Sequence, residues 1–323
     1  MRPMGVGRAY GNLEKMNRVA HGIYYTAGNP FASGAFRRWA KAAHLPNARI
    51  LEPFAGGNSL IERLKSMGFC RASKSFDLFP NAPAVEKRDT LADFPRGFSV
   101  CVTNPPWLAK NSATLKGLDF PTTRYDDLYK YALECCLQHC QWVAALVPES
   151  FIRAGLFRDR LTDFVSLTGP MFEETGHPVG LALFAPQEGG DVRIWQDSKE
   201  IGRLSVLEKS RPQARWGRRI PVRFNDPKGN AGLIAFDNTF EPSIRFCDVS
   251  ELEGYEIKPS SRFITKLNVR GSVRIKDWNE CLRRFREKTH DVFLTSFKGI
   301  RRDGKYRRRL DWQTARGIID YVA

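Results

Sequence analysis

The chain has 323 residues, 51 Lys+Arg against 35 Asp+Glu, and a formal net charge of +16; that length suits two domains, or one large domain with an appendage. With 42% hydrophobic and 12% aromatic residues it can bury a core, which excludes wholesale disorder. No run approaches the roughly 18 consecutive apolar residues of a membrane span, and the opening MRPMGVGRAYGNLEK lacks the apolar stretch of a secretory signal, so the expectation is a cytoplasmic protein with no membrane partner.

Residues 1–20 read as a loose polar leader. Asn29-Pro30 can open a helix carrying Phe31, Ala35, Phe36, Trp39 and Ala43 at helical spacing. Arg49–Glu52 is a short strand ending in Pro53. Asn58–Gly68 reads as a helix with Leu60, Ile61, Leu64 and Met67 on one face. Ser73–Asp77 is a second strand, and Phe98–Thr103 is apolar and β-branched, as a strand buried on both faces should be. Asp126–Cys140 is a helix, Gln141–Val147 a buried strand, Gly155–Leu167 a further helix, and Val179–Phe184 a strand.

This alternation implies βαβ units and a mainly parallel, doubly wound sheet, an α/β fold that binds ligands at the carboxyl ends of its strands. After Gln187, Gly189-Gly190 and Pro212, Pro221, Pro227, Pro242 and Pro259 break the pattern. A second, mixed α+β domain of strands, loops and a few short helices is expected over 187–323. The first domain is then 21–186.

Charge is uneven along the chain. Residues 1–186 hold 22 Lys+Arg and 16 Asp+Glu, residues 187–323 hold 29 and 19, and 258–323 alone hold 18 and 7. A basic block of this kind is the footprint of a polyanion partner. Arg301, Arg302, Lys305, Arg307, Arg308 and Arg309 form its densest cluster, and Gly304 and Tyr306 mark it as a loop or turn rather than one helix face. Seven cysteines, with no CxxC pair, suit reduced core residues better than zinc ligands, so no metal is expected. The five histidines are scattered.

Three constellations sit just after strands. Asn104-Pro105-Pro106-Trp107 follows a buried strand. Two prolines fix the backbone and remove two donors, leaving carbonyl acceptors beside the Asn104 amide oxygen. Such acceptors can take both protons of an exocyclic amine, and Trp107 offers a flat face for a planar ring. The plainer reading is a turn closing a strand. Glu52-Pro53-Phe54-Ala55-Gly56-Gly57 is a strand end followed by a small-residue turn that admits a ligand close to the backbone; it lacks GxGxxG spacing, which argues against a dinucleotide. Asp77 and Asp89 come next; an acid at the end of a second strand can hold ribose hydroxyls.

In this order Tyr24-Tyr25-Thr26-Ala27, Glu52 to Gly57, Asp77, Asp89 and Asn104-Pro105-Pro106-Trp107 resemble the N6-adenine DNA methyltransferases, with the gamma-class placement of the cofactor motif before NPPW. The likeness covers about residues 21–186. It implies a Rossmann-like class I fold, S-adenosylmethionine as cofactor and a C-terminal target-recognition domain. Thr26, with Tyr25, would contact the cofactor carboxylate; Glu52, Pro53 and the turn Ala55-Gly56-Gly57 would hold its methionine portion. Asp77 would take the ribose hydroxyls and Asp89 the adenine amine. Asn104 and the Pro105 carbonyl would bind the target amine in the rigid turn that Pro106 completes. Trp107 would stack on the extruded base, with Phe172 as a second stacking aromatic. Asn58 stands where the family has a glycine, and Asn tolerates left-handed backbone.

The implied partners are double-stranded DNA and a cognate restriction endonuclease, in a restriction–modification or phage setting, with the enzyme a monomer in a bacterial or phage-infected cell. An RNA adenine-N6 methyltransferase is the runner-up. A protein-glutamine methyltransferase shares the NPP turn but leaves the basic block unexplained. A non-catalytic nucleic-acid-binding protein is the reading from another class, and the intact NPPW argues against it.

Overall fold

The computed structural model describes residues 24, 26–172, 176–186, 190–214, 217 and 219–323. The leader 1–20 and Tyr25 lie outside them. The chain divides into two compact units, Met1–Glu200 and Ile201–Ala323.

The first unit is built on one sheet. Its strands are β1 (Arg49–Glu52), β2 (Ala72–Asp77), β3 (Val85–Lys87), β4 (Val100–Thr103), β5 (Trp142–Pro148), β6 (Leu161–Leu167), β7 (Val179–Phe184), β8 (Arg193–Gln196) and β9 (Lys199–Arg203). Their order is β3-β2-β1-β4-β5-β7-β6-β8-β9. The first five run parallel, with Ile50 opposite Val100 and Val100 opposite Trp142. β7 is antiparallel to both β5 and β6, and β6 pairs β8 in parallel. The sheet therefore continues through β8 and β9, beyond the change of pattern at 187.

Helices cover both faces. Helix α1 (Gly34–Ala42) starts where the Ser33 hydroxyl accepts the Phe36 amide at 3.2 Å, rather than at Asn29-Pro30. It buries Ala35, Phe36, Trp39 and Ala40. With Leu60, Ile61 and Leu64 of α2 (Ser59–Ser66), they form one core with Ile50, Val100, Val102, Ala144 and Leu146. On the strands the alternate residues turn the other way: Cys101 meets Cys136 and Cys140, at and just beyond the end of α4 (Leu128–His139). The cysteines are thus small core residues. A short α3 (Lys110–Lys116) lies between β4 and α4. Asp163 on β6, 2% exposed, accepts from Arg38, Arg193 and the Trp195 indole, tying α1, β6 and β8 together.

Gly155–Leu167 is not helical. Only α5 (Phe151–Ala154) coils, and Leu161–Leu167 is a strand with six of its seven residues buried. Thr162 and Val165 are β-branched, and both faces of this strand are covered, so its apolar spacing resembles a helix repeat.

The second unit holds a four-stranded antiparallel sheet of β10 (Val222–Phe224), β11 (Ala231–Ile234), β12 (Arg245–Cys247) and β13 (Ile264–Val269), in the order β10-β13-β11-β12. β14 (Thr295–Ile300) and β15 (Tyr306–Arg309) make a hairpin, so Arg301, Arg302 and Lys305 lie in its turn and Arg307–Arg309 in a strand. Its helices are α6 (Leu204–Lys209), α7 (Ile275–Thr289) and α8 (Trp312–Val322). The fifteen-residue α7 is longer than the short helices expected. Trp278, Leu282, Phe285 and Thr289 form its buried stripe, a narrow one set among charges.

Candidate active site

The carboxyl ends of β1, β2 and β4 open into a cavity of about 620 Å³, of the size that small-molecule sites take. Thr26, Glu52, Ala55, Gly56, Asp77, Asp89, Asn104 and Pro106 line it, so eight of the expected residues meet there. Pro53, Gly57, Pro105, Trp107 and Phe172 are not on its wall.

The β1 turn is held from β2. Asp77 accepts the Gly56 amide on Oδ2 and the Phe79 amide on Oδ1, each at 2.7 Å. The Ala55 amide donates to the Phe76 carbonyl at 2.8 Å. Gly56 and Asn58 both take left-handed backbone, at φ 52° and 66°; Asn58 thus adopts the geometry its amide side chain tolerates. Its Oδ1 accepts the Ser75 hydroxyl at 2.7 Å, which joins the start of α2 to β2. The Pro53 carbonyl accepts the Thr90 hydroxyl at 2.9 Å. Asp89 Oδ1 accepts the amides of Leu91 and Ala92. Burial pushes the Asp77 carboxyl up, against the pull of its two amide donors; a carboxylate with one amide on each oxygen still has acceptor capacity.

Glu52 is 1% exposed, and neither of its oxygens has a hydrogen-bond partner of good geometry. Burial drives its carboxyl well above the ordinary value; Thr103 and the Asn104 backbone oppose this, and the Asp77 charge adds to it. A buried acid without donors is costly unless a ligand supplies them.

Asn104 donates from Nδ2 to the Tyr24 carbonyl at 2.7 Å, and its Oδ1 is buried with no partner. Pro105 is buried behind it. The segment carrying Tyr24 and Thr26 is docked in turn. Thr26 bridges Phe172, and the amides of Ala27 and Gly28 both donate to the Met171 carbonyl, at 2.8 and 3.3 Å. Gly28 is the residue that permits this approach: a Cβ there would lie 2.6 Å from Met171 Cε and 2.7 Å from the Pro170 carbonyl.

Three rings pack behind Asn104. Trp107 meets Phe172 edge to face at 5.2 Å, and Tyr24 stacks on Phe172 at 5.5 Å. Phe172 is 4% exposed and covered by Tyr24. It therefore buttresses Trp107 instead of offering a second open stacking face. The Trp107 indole nitrogen is buried without a partner.

Sequence reading missed several wall residues. The exposed Leu78 and Phe79, the Gly117–Asp119 segment with Pro121, and Tyr131 on α4 all line the cavity. Asp77, Asp89 and Asp119, beside the buried Glu52 carboxyl, face one cation, Arg88, which is spent on Asp93. Such a wall favours a ligand that carries positive charge and disfavours phosphates. Among the described residues no group of three or more His, Cys, Asp or Glu is placed to hold a metal.

The basic cluster of the second unit is largely engaged within it. Asp237, fully buried, receives Arg286 through both terminal guanidinium nitrogens and Arg301 at 2.6 Å. Arg301 and Arg308 are each 4% exposed, and Arg308 donates to the Ser296 hydroxyl. Arg307 donates to the Asp237 carbonyl and lies 4.9 Å from the Phe297 ring centre. Of the six residues expected to touch nucleic acid, Arg302 and Lys305 are exposed, Arg307 and Arg309 half-buried. Arg301 and Arg308 do not present their charge to a partner.

No family model matches the chain, and no curated protein matches it by sequence. Among solved structures it is similar to a type I restriction-modification methyltransferase subunit from Streptococcus thermophilus, at 17% identity and TM-score 0.37 over 58% of this chain and 50% of that one. It is also similar to the EcoKI M protein of a type I restriction enzyme, at 11% and 0.36 over 83% and 72%, and to the type IIG restriction endonuclease BpuSI, at 14% and 0.37 over 56% and 28%. The chain thus spans about half the length of the Streptococcus protein and less of the endonuclease.

Proposed function

We propose that the chain is a site-specific DNA adenine-N6 methyltransferase that uses S-adenosylmethionine, acting on double-stranded DNA as a monomer in the bacterial cytoplasm, beside a cognate restriction endonuclease or in a phage. The observation that carries this reading is the buried, unpartnered Oδ1 of Asn104 in the same acid-lined cavity as Glu52 and Asp77.

The cavity fits the cofactor in two respects. The partnerless carboxyl of Glu52 wants donors, as an ammonium group supplies, and the excess of acids suits a sulfonium cation. When bound, S-adenosylmethionine supplies an electrophilic methyl group. Thr26, Glu52 and the wall residues Ala55 and Gly56 would hold its methionine portion, with Pro53 and Gly57 shaping the turn behind them and Tyr25 next to Thr26 in the chain. Asp77 would take the ribose hydroxyls and Asp89 the adenine amine.

An adenine amine is a poor nucleophile, because its lone pair is delocalised into the ring. Asn104 Oδ1 and the Pro105 carbonyl accept its two protons, which draws the nitrogen towards a tetrahedral shape and localises the pair. Pro106 keeps the turn rigid, so these acceptors are set before the base arrives. Trp107, just off the cavity wall and braced by Phe172, would take the ring by stacking as it enters beside Asn104. A base inside a duplex must be extruded to get there, at a cost of a few kcal/mol.

Asn104→Ala tests the reading. Methyl transfer should be lost while S-adenosylmethionine binding, followed by calorimetry, stays within a few-fold of wild type. Retained turnover would remove Asn104 from the mechanism.

A further inference from the structure

A second concave surface lies wholly within the Ile201–Ala323 unit. It is a groove of about 630 Å³ between the end of α6, one face of α7 and the end of α8. The α7 residues on its wall include Asp277, Cys281, Arg284 and Lys288, spaced four, three and four apart, so they form one stripe, with Phe285 of the buried stripe at its edge. Lys209, Arg211, Arg274, Arg284 and Lys288 bring five cations to the groove. The acidic side chains facing it are Asp277 and Glu280.

These charges fall into two sets. Arg274 donates to Asp277 and to the Val322 carbonyl, each at 2.7 Å, and Arg284 donates to Glu280 at 2.6 Å. Those contacts brace the walls. Lys209, Arg211 and Lys288 have no carboxylate within ion-pair distance among the described residues. The Arg211 guanidinium lies 5.2 Å from the Phe293 ring centre, which steadies it. Three cations with no ion-pair partner among the described residues lie around one concavity, repel each other, and have their field focused by the hollow on whatever enters. Arg301 of the hairpin differs: it is neutralised by Asp237 and Asp303.

We infer that this groove grips the phosphodiester backbone of duplex DNA, with Lys209, Arg211 and Lys288 as its phosphate contacts. This rests on the reading of the chain as a DNA methyltransferase. It adds the α6–α7–α8 groove to the exposed Arg302 and Lys305 of the hairpin as a source of sequence-independent DNA binding.

The test uses the full chain and a fluorescent mixed-sequence duplex, with affinity measured between roughly 50 and 200 mM salt. Each phosphate contact removed lowers the slope of log affinity against log salt by about 0.9. The triple variant Lys209→Gln, Arg211→Gln, Lys288→Gln should therefore lose nearly three units of slope. Lys209→Gln with Lys288→Gln, which spares the contact to Phe293, should lose about two. An unchanged melting temperature shows that both variants fold. If wild type binds the duplex and both variants keep its slope, the groove assignment is overturned and the DNA reading stands. If wild type binds no duplex at the lowest salt, both are overturned.

Discussion

The Asn104 side chain is oriented by the backbone of Tyr24: Nδ2 donates to that carbonyl at 2.7 Å, so Oδ1 is the atom left for a ligand. The opposite orientation would set two acceptors against each other. The acceptor is thus aimed before substrate arrives, by a segment that also lines the cavity through Thr26. Removing one preorganised polar group of this kind costs roughly 10²–10³ in turnover. Asn104→Ala should lose at least that much, and Asn104→Asp should not restore it, because a carboxylate has no donor for Tyr24. Single-turnover methyl transfer with saturating cofactor measures both.

Gly28 holds that segment in place. Gly28→Ala sets a Cβ against the Pro170 carbonyl and Met171. Overpacking of this sort costs about 1–3 kcal/mol. The melting temperature should fall. Turnover should fall further than stability alone explains, because the shift propagates through Thr26 and Tyr24 to Asn104. Equal activity per folded molecule would show that the strap does not orient Asn104.

Glu52 gives a pH signature. Burial raises its carboxyl well above the ordinary value of 4.5, so the folded state holds a proton that the unfolded state has released. Its contribution to stability is full below pH 4.5 and is lost as pH rises towards the folded value. Glu52→Gln should therefore raise stability at neutral pH, by on the order of 1–3 kcal/mol. It should also weaken cofactor binding. In wild type, binding of a cationic ligand releases this proton, so affinity should rise with pH, and the variant should lose that dependence. Calorimetry in buffers of different ionisation enthalpy counts the proton.

Asp237 behaves in the opposite sense. Burial raises its carboxyl, but Arg286, the Ser243 amide and Arg301 outweigh this and hold it below 3.8. Its stabilisation is present above 3.8 and is lost as pH falls through the lower folded value. Breaking a buried ion pair by removing one partner costs about 3–5 kcal/mol. Arg301→Ala should cost that much in urea denaturation of the C-terminal unit, and more than Arg302→Ala, whose side chain is exposed. Equal, small losses would mean the Asp237 cluster is not structural.

Much of the first unit is legible from its residues. The cavity wall is carried by strand ends, so Glu52, Asp77 and Asn104 stand out as the polar residues at or just past the end of a buried strand. The partner of Asn104 does not, because a backbone carbonyl leaves no mark in a sequence. Nor does the role of Phe172, which depends on Tyr24 covering it. The strand at Leu161–Leu167 is hidden by burial on both faces, which erases alternation. In the second unit, the arginines around 301–309 read as a surface patch. The carboxylate that buries Arg301 lies 64 residues away in the chain.

The central claim is tested most directly by incubating the protein with labelled S-adenosylmethionine and plasmid DNA, with total RNA in parallel, and then analysing the nucleosides by mass spectrometry. The account predicts N6-methyldeoxyadenosine in the DNA, absent with Asn104→Ala. Label only in RNA, or in neither, would contradict it.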